Sequence, residues 1–226
     1  MLSCTEELPD APEIVKRSIA YHDPQGEWSA FAERLYIKQE TPGGVRMDQV
    51  TIDNTRDRFV YESTRDSIDV LRGVQGDSVW YAYQGERALP DSLVEKYRLS
   101  KAQIIRYRDY FGYLYGLPMK LNDPGTHVQN TVEVLTFFGQ KALKVQVTYD
   151  EAVGKDVWYF YFSPETYRLL AYQFYHDQAA NDGEYILLEG ELLAGTIRLP
   201  QNRTWYTNAE DKLLGTDYLL KAEPVN

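Results

Sequence analysis

The chain has 226 residues, 34 acidic against 24 basic, and a formal net charge of -10 at pH 7. No run of Lys or Arg offers a positive footprint to a phosphate backbone, which argues against a nucleic-acid partner, and no apolar stretch approaches the roughly 20 residues of a membrane-spanning helix. A hydrophobic content of 43% excludes a disordered chain. One domain of roughly 200–250 residues is ordinary for an all-β sandwich or barrel, and 19 Tyr, 8 Phe and 4 Trp favour half-buried pleated surfaces. Such aromatics serve mainly as core and cross-strand pairs, and secondarily as ligand contacts.

The first predicted element is a helix after Pro12. Ile14, Val15, Ser18, Ile19 and His22 recur at helical spacing, with Lys16 and Arg17 on the other side. Asp23-Pro24-Gln25-Gly26 is the turn that stops it. Alternating segments follow at Phe31–Glu40, Val45–Asp53, Arg58–Glu62, Ile68–Leu71 and Ser78–Tyr83. Thr41-Pro42-Gly43-Gly44, Asp53-Asn54 and Gln75-Gly76-Asp77 separate several of them with turn chemistry, as in an antiparallel meander.

Between Leu89-Pro90 and Leu117-Pro118 the period changes. Ser100 is placed as an N-cap, and Ile104, Tyr107, Phe111 and Leu114 then fall on one helical face. The C-terminal part, Tyr110 to Gly116, is apolar on more than one side, so it is either sandwiched by the core or covers something other than protein. After Asn122-Asp123-Pro124-Gly125, strands resume at Val128–Phe138, Ala142–Tyr149, Val157–Phe162, Leu169–His176, Tyr185–Glu189, Thr196–Tyr206 and Leu213–Leu220. Leu143, Val145, Val147 and Tyr149 alternate with Lys144, Gln146 and Thr148, the pattern of a sheet with one buried face. Trp158 to Phe162 is aromatic throughout and needs apolar cover on both faces, or exposes one into a cavity. Asn181-Asp182-Gly183 marks a hairpin turn. About twelve strands with a helix at the start and another in the middle predict one curved antiparallel sheet or partly closed barrel.

Catalytic signatures are missing: there is no Gly-x-Ser-x-Gly elbow, Ser-x-x-Lys, His-Glu-x-x-His, phosphate loop or dinucleotide fingerprint. His22, His127 and His176 lack metal-ligand spacing and one cysteine cannot build a structural zinc site, so neither metal nor cofactor is expected. Asp177, Asn181 and Asp182 before Gly183 are a turn, because Ala179 occupies what would be a calcium-ligand position. Glu184, Glu189 and Glu191 are the nearest carboxylate cluster; alternation puts Glu189 and Glu191 on one strand face unless Gly190 breaks the strand, and a solvated face accounts for them. Lys144 and Lys155 flank apolar strands, and nothing local supports amine chemistry at either.

Leu2-Ser3-Cys4, followed by Thr5-Glu6-Glu7-Leu8-Pro9-Asp10, resembles the end of a bacterial lipoprotein signal, with Cys4 as the lipidated residue and residues 1–10 as a tether. The apolar core of such a signal is not in the sequence; without lipidation Cys4 is an ordinary cytosolic thiol. Acyl chains on Cys4 would anchor the protein to a membrane, at ~0.8 kcal/mol per buried CH₂. The stretches Ile14 to Pro24, Tyr113 to Lys120, Gly154 to Phe162 and Asn181 to Leu188 resemble an uncharacterised family of Bacteroidota lipoproteins along nearly the whole chain. That family in turn is similar in architecture to the lipoprotein carriers LolA and LolB, whose unclosed β-barrel is capped by helices around an apolar cavity for acyl chains.

The resemblance implies a mainly β, α+β domain over residues 11–226: a curved antiparallel sheet or half-barrel with two or three helices and a helical insertion at about 91–116. It implies an outer-membrane lipoprotein on the periplasmic side of the envelope, without catalytic residues, taking a lipid or other hydrophobic small molecule; the oligomeric state stays open, with a monomer favoured. Trp158, Phe160, Phe162, Tyr172 and Phe174 would line the concave side, under a lid carrying Tyr107, Phe111 and Leu114. Two alternatives stand beside it. One is an envelope adaptor with a packed sheet and an exposed aromatic surface for a protein or glycan; the other is a hydrolase or lyase using carboxylates near Glu184 and Glu189.

Overall fold

A computed structural model describes residues 8–225; Cys4 lies outside them. The first half runs α1 (Ala11–His22), β1 (Ala32–Thr41), β2 (Gly44–Asp53), β3 (Arg58–Arg65), β4 (Ile68–Gln75) and β5 (Ser78–Tyr83), then the helices α2 (Asp91–Lys96) and α3 (Lys101–Gly116). The second half is β6 (Thr126–Phe137), β7 (Gln140–Tyr149), β8 (Val157–Phe162), β9 (Leu169–Tyr175), β10 (Glu184–Ala194), β11 (Ile197–Thr207) and β12 (Leu213–Pro224). All twelve strands form one curved, unclosed antiparallel sheet in the order β5-β4-β3-β2-β1-β12-β11-β10-β9-β8-β7-β6.

That order dictates where the helices go. β5 and β6 are consecutive in sequence but occupy opposite edges of the sheet, so the chain between them has to cross its full width. α3 makes the crossing on the concave side. It leaves β4 and β3, and at its far end Tyr113 meets Trp158 of β8, ring centroids 5.3 Å apart. Its face of Ile104, Phe111 and Leu114 is buried, each such side chain stabilising by roughly 1.5–3 kcal/mol. The Ser100 hydroxyl accepts the Gln103 N–H at 3.4 Å and caps its start.

α1 covers another part of the hollow, against β6 and β11. The Asp10 carboxylate accepts the Glu13 N–H at 2.9 Å, and Ile14, Val15, Ser18 and His22 form the buried face. Asp23 ends the helix by accepting the N–H groups of Glu27 and Trp28, which fixes the following turn.

Alternation along the strands sorts the side chains. On β8, Trp158, Phe160 and Phe162 face the concave core, while Tyr159 and Tyr161 face outward, where the Phe137 ring stacks on Tyr161 at 3.8 Å and Lys144 Nζ lies over Tyr159. The aromatic strand is thus covered on both faces by protein. β10 is longer than alternation alone predicts, because Gly190 takes φ +65 without breaking the pairing: Glu189 faces Asn202 and Glu191 faces Pro200 in one register. On the edge strand β6, pairing steps from Val128–Val147 to Val132–Val145, a bulge that blunts the edge.

Candidate ligand-binding site

The concave wall is apolar at its base and turns polar toward one end of the strands. On β1, Leu35 and Ile37 are followed on the same face by Gln39; on β2, Ile52 and Val50 by Asp48 and Arg46. Register then joins residues far apart in sequence. Gln39 faces Arg46 on one side and Asp217 on the other, and Asp217 faces Arg203. A polar row therefore crosses four strands, β11 to β2.

Both carboxylates of this region are buried and bonded. Asp48 takes Arg46 Nε at 2.8 Å and the Tyr61 hydroxyl at 3.3 Å. Burial pushes its carboxyl up to about 6, against the opposing pull of Arg46 and Tyr61. Asp217 accepts from Gln39 Nε2 at 2.9 Å and from Trp205 Nε1 at 3.2 Å, and burial raises its pKa as well. Burial pushes the Tyr61 phenol far up, so it stays a donor.

Two buried arginines tie the helical segment to this wall. Arg72 donates to the Tyr97 carbonyl at 2.8 Å and to Ser63 Oγ at 3.2 Å, with the rings of Tyr61 and Tyr107 each 5.0 Å from its guanidinium carbon. Arg203 donates to the carbonyls of Pro200 and Leu114, and lies 4.1 Å over the Tyr115 ring. Each donates its hydrogen bonds to neutral oxygens, and the π faces supply further favourable electrostatics.

Between this wall and α3 lies a cavity of about 260 Å³. Ile37, Gln39, Arg46, Asp48, Tyr61 and Asp217 form its floor; Gln103, Arg106, Tyr107, Tyr110 and Phe111 of α3 form its roof, with Arg98 just before the helix. It is amphipathic, an aromatic roof over a polar floor. A second, surface groove of about 450 Å³, bounded by Tyr21, Lys141, Glu165 and Arg168 among others, is polar and has no aromatic roof.

Two of the eight residues expected at a ligand, Tyr107 and Phe111, line the cavity. Leu114, Phe160, Phe162 and Tyr172 are buried in the core, and Trp158 and Phe174 are half-buried against it; none of these six borders the cavity. The six do share the concave side, with Trp158 4.8 Å from Phe174 and Phe160 6.2 Å from Tyr172. The expected hollow over β8 and β9 is filled by α3 itself, where the Tyr113 hydroxyl meets that of Tyr149 at 2.5 Å. The open space lies instead over β1, β2 and β12. Gln39, Arg46, Asp48, Tyr61 and Asp217 were missed from sequence, although a polar residue at an inward position of an apolar strand was a usable signal.

The remaining candidates stay apart. Glu184 shares the parity of the inward Ile186 and Leu188, while Glu189 is exposed on the opposite face, so the two do not converge in a cleft. His22 is buried between Leu169 N–H and the Arg198 carbonyl, whereas His127 and His176 form exposed pairs with Asp150 and Asp156. Among the described residues no group of His, Cys, Asp and Glu is placed to hold a metal ion. Lys144 pairs with Glu133 and Lys155 with Glu151.

The fold is shared with solved structures at low identity. The LolA superfamily protein of Nitrosomonas europaea superposes with a TM-score of 0.54 at 12% identity, over 96% of this chain and 94% of that chain. A domain from Vibrio parahaemolyticus described as lipoprotein-sorting gives 0.50 at 8%, over 95% and 93%, and a DUF1329 family protein of Desulfovibrio piger gives 0.52 at 9%, over 95% and 92%. No curated protein matches the chain. The profile of a family of unknown function, DUF6503, matches residues 1–222, and the chain belongs to that family.

Proposed function

We propose that this protein is a non-catalytic binding protein of the cell envelope that holds a hydrophobic or amphipathic small molecule between α3 and the concave wall of its half-barrel. The observation that carries the reading is the cavity of about 260 Å³ roofed by Tyr107, Tyr110 and Phe111. Burial of apolar ligand surface there contributes about 25 cal/mol per Å². Outward movement of α3 would extend the site toward Leu114, Trp158, Phe160, Phe162, Tyr172 and Phe174, the apolar side chains it now covers. The fold shared with a domain described as lipoprotein-sorting supports an envelope role. In this reading Cys4 carries the lipid anchor, residues 1–10 are the tether, and the domain that follows sits on the periplasmic side of the outer membrane.

Native mass spectrometry of the purified protein, with extraction of bound lipid, tests the reading. A co-purifying or added amphiphile is expected on the wild type and lost in Gln103→Trp, whose indole would fill the cavity from α3. A clean apo mass after incubation with lipids would overturn it. Phe160→Arg is a poor probe, because Phe160 is 0% exposed and a buried guanidinium there would disrupt the core.

A second reading has its own surface. Phe138, 54% exposed at the β6–β7 turn, packs on Tyr185, with ring centroids 4.9 Å apart, and Tyr185 stacks on Tyr206 on the convex face. An adaptor for a protein or glycan would use the exposed Phe138 ring, held in place by the buried Tyr185 beneath it, and a clean apo mass moves the weight of argument to it.

A further inference from the structure

Charge, backbone geometry and size at the cavity's rim narrow the chemistry of the ligand. The chain as a whole is strongly acidic, at -10, yet the rim beside α3 carries Arg98 and Arg106. Among the described residues neither forms an ion pair. The cavity's own carboxylates are already engaged, Asp48 by Arg46 and Tyr61, Asp217 by Gln39 and Trp205. The two exposed guanidinium groups at the rim are thus the cavity's available charges, and the ligand they complement is an anion.

The end of α2 positions one of these arginines. α2 ends with Leu99 N–H bonded to the Val94 carbonyl and Arg98 N–H bonded to that of Glu95, the two bonds of a Schellman end. The residue at its turning point takes φ +55, a conformation that favours glycine. An arginine stands there instead, against the local steric preference, and its side chain borders the cavity. The left-handed turn fixes where the Arg98 side chain leaves the backbone, at the mouth of the cavity.

Size limits the rest of the ligand. With α3 in its present position the cavity, at about 260 Å³, falls below the roughly 300–1,000 Å³ of sites for drug-sized ligands, which suits one chain or ring better than a two-chain lipid. We propose that the cavity selects a single-chain or aromatic organic anion, its carboxylate or phosphate head held by Arg98 and Arg106 and its apolar part lying against Tyr107, Tyr110 and Phe111. The guanidinium fork matches two oxygens of either head. This rests on the reading of the cavity as a ligand site.

Isothermal titration calorimetry with decanoate, decyl phosphate, decanol and decyltrimethylammonium, on wild type, Arg98→Gly and Arg106→Gln, tests it. Decanoate or decyl phosphate is expected to bind roughly tenfold or more tighter than decanol, and the comparison of the two anions tells which head is preferred. Arg98→Gly is expected to erase that preference with Tm unchanged or raised, since glycine suits the helix end. Equal binding of decanol and the anions, tighter binding of the ammonium, or a preference that survives both arginine substitutions would overturn the anion site and leave the cavity reading standing. Binding of none of the four probes would remove both.

Discussion

Arg46 and Asp48 share one face of β2, and Arg46 Nε lies 2.8 Å from one oxygen of the Asp48 carboxylate and 2.9 Å from the other. The pair stands in the cavity floor with Tyr61 and Asp217. Attraction between the two does not offset the loss of hydration, because Asp48 is almost wholly buried and its carboxyl is pushed up to about 6.

That shift sets a pH dependence. Between an ordinary value of 3.8 and about 6 the folded chain holds a proton at Asp48 that the unfolded chain has released. Its contribution to stability is complete below the lower value and is lost as pH rises through the higher one, by on the order of 3 kcal/mol. Asp48→Asn cannot ionise, so urea denaturation should show the variant gaining on the wild type as pH rises from about 4 to about 7. A difference between the two that is independent of pH would show that Asp48 is ionised throughout.

His22 has the opposite sign. Its Nε2 accepts the Leu169 N–H at 3.1 Å, so the proton resides on Nδ1, which donates to the Arg198 carbonyl at 2.6 Å. Burial lowers its pKa from 6.5. The unfolded chain binds the proton first on acidification, so this contribution is complete above the unfolded value and declines as pH falls below it. His22→Ala should cost roughly 2–4 kcal/mol at neutral pH and weaken the acid sensitivity. Denaturation midpoints on either side of the histidine range check both.

Gly73 on β4 lies directly opposite Trp80 on β5, and a Cβ added at Gly73 would overlap the indole ring. Gly73→Ala should therefore displace Trp80 and destabilise by about 1–3 kcal/mol, visible as a lower Tm and altered tryptophan fluorescence. An unchanged Tm would show that the indole moves aside freely.

At the β6–β7 turn Phe138 and Gly139 take φ of 45 and 78, the conformation of a tight hairpin in which Asn-Gly is preferred. Phe138→Asn should be neutral or stabilising by up to about 1 kcal/mol, since relief of strain offsets the lost contact with Tyr185. A clear fall in Tm would show that the aromatic contact outweighs the strain.

Much of the architecture was legible locally. Strand parity grouped Trp158, Phe160 and Phe162 on one face, the turns fell at their glycines and prolines, and Ser100 capped the long helix. Periodicity and turn chemistry are local properties, which is why they survive in the linear text. β10 was shortened at Gly190 because a glycine with positive φ is not distinguishable in sequence from one that ends a strand.

The site was not legible in that way. Gln39 and Asp217 are 178 positions apart and meet only because β1 pairs with β12. Sequence alone determined a β-rich domain of about twelve antiparallel strands in a curved sheet or partly closed barrel, with a helical insertion and one aromatic-rich strand face. Only the tertiary structure decided which part of that face is covered by α3 and which stays open, because the path of α3 is set by the strand order, and strand order is fixed by pairing between distant segments.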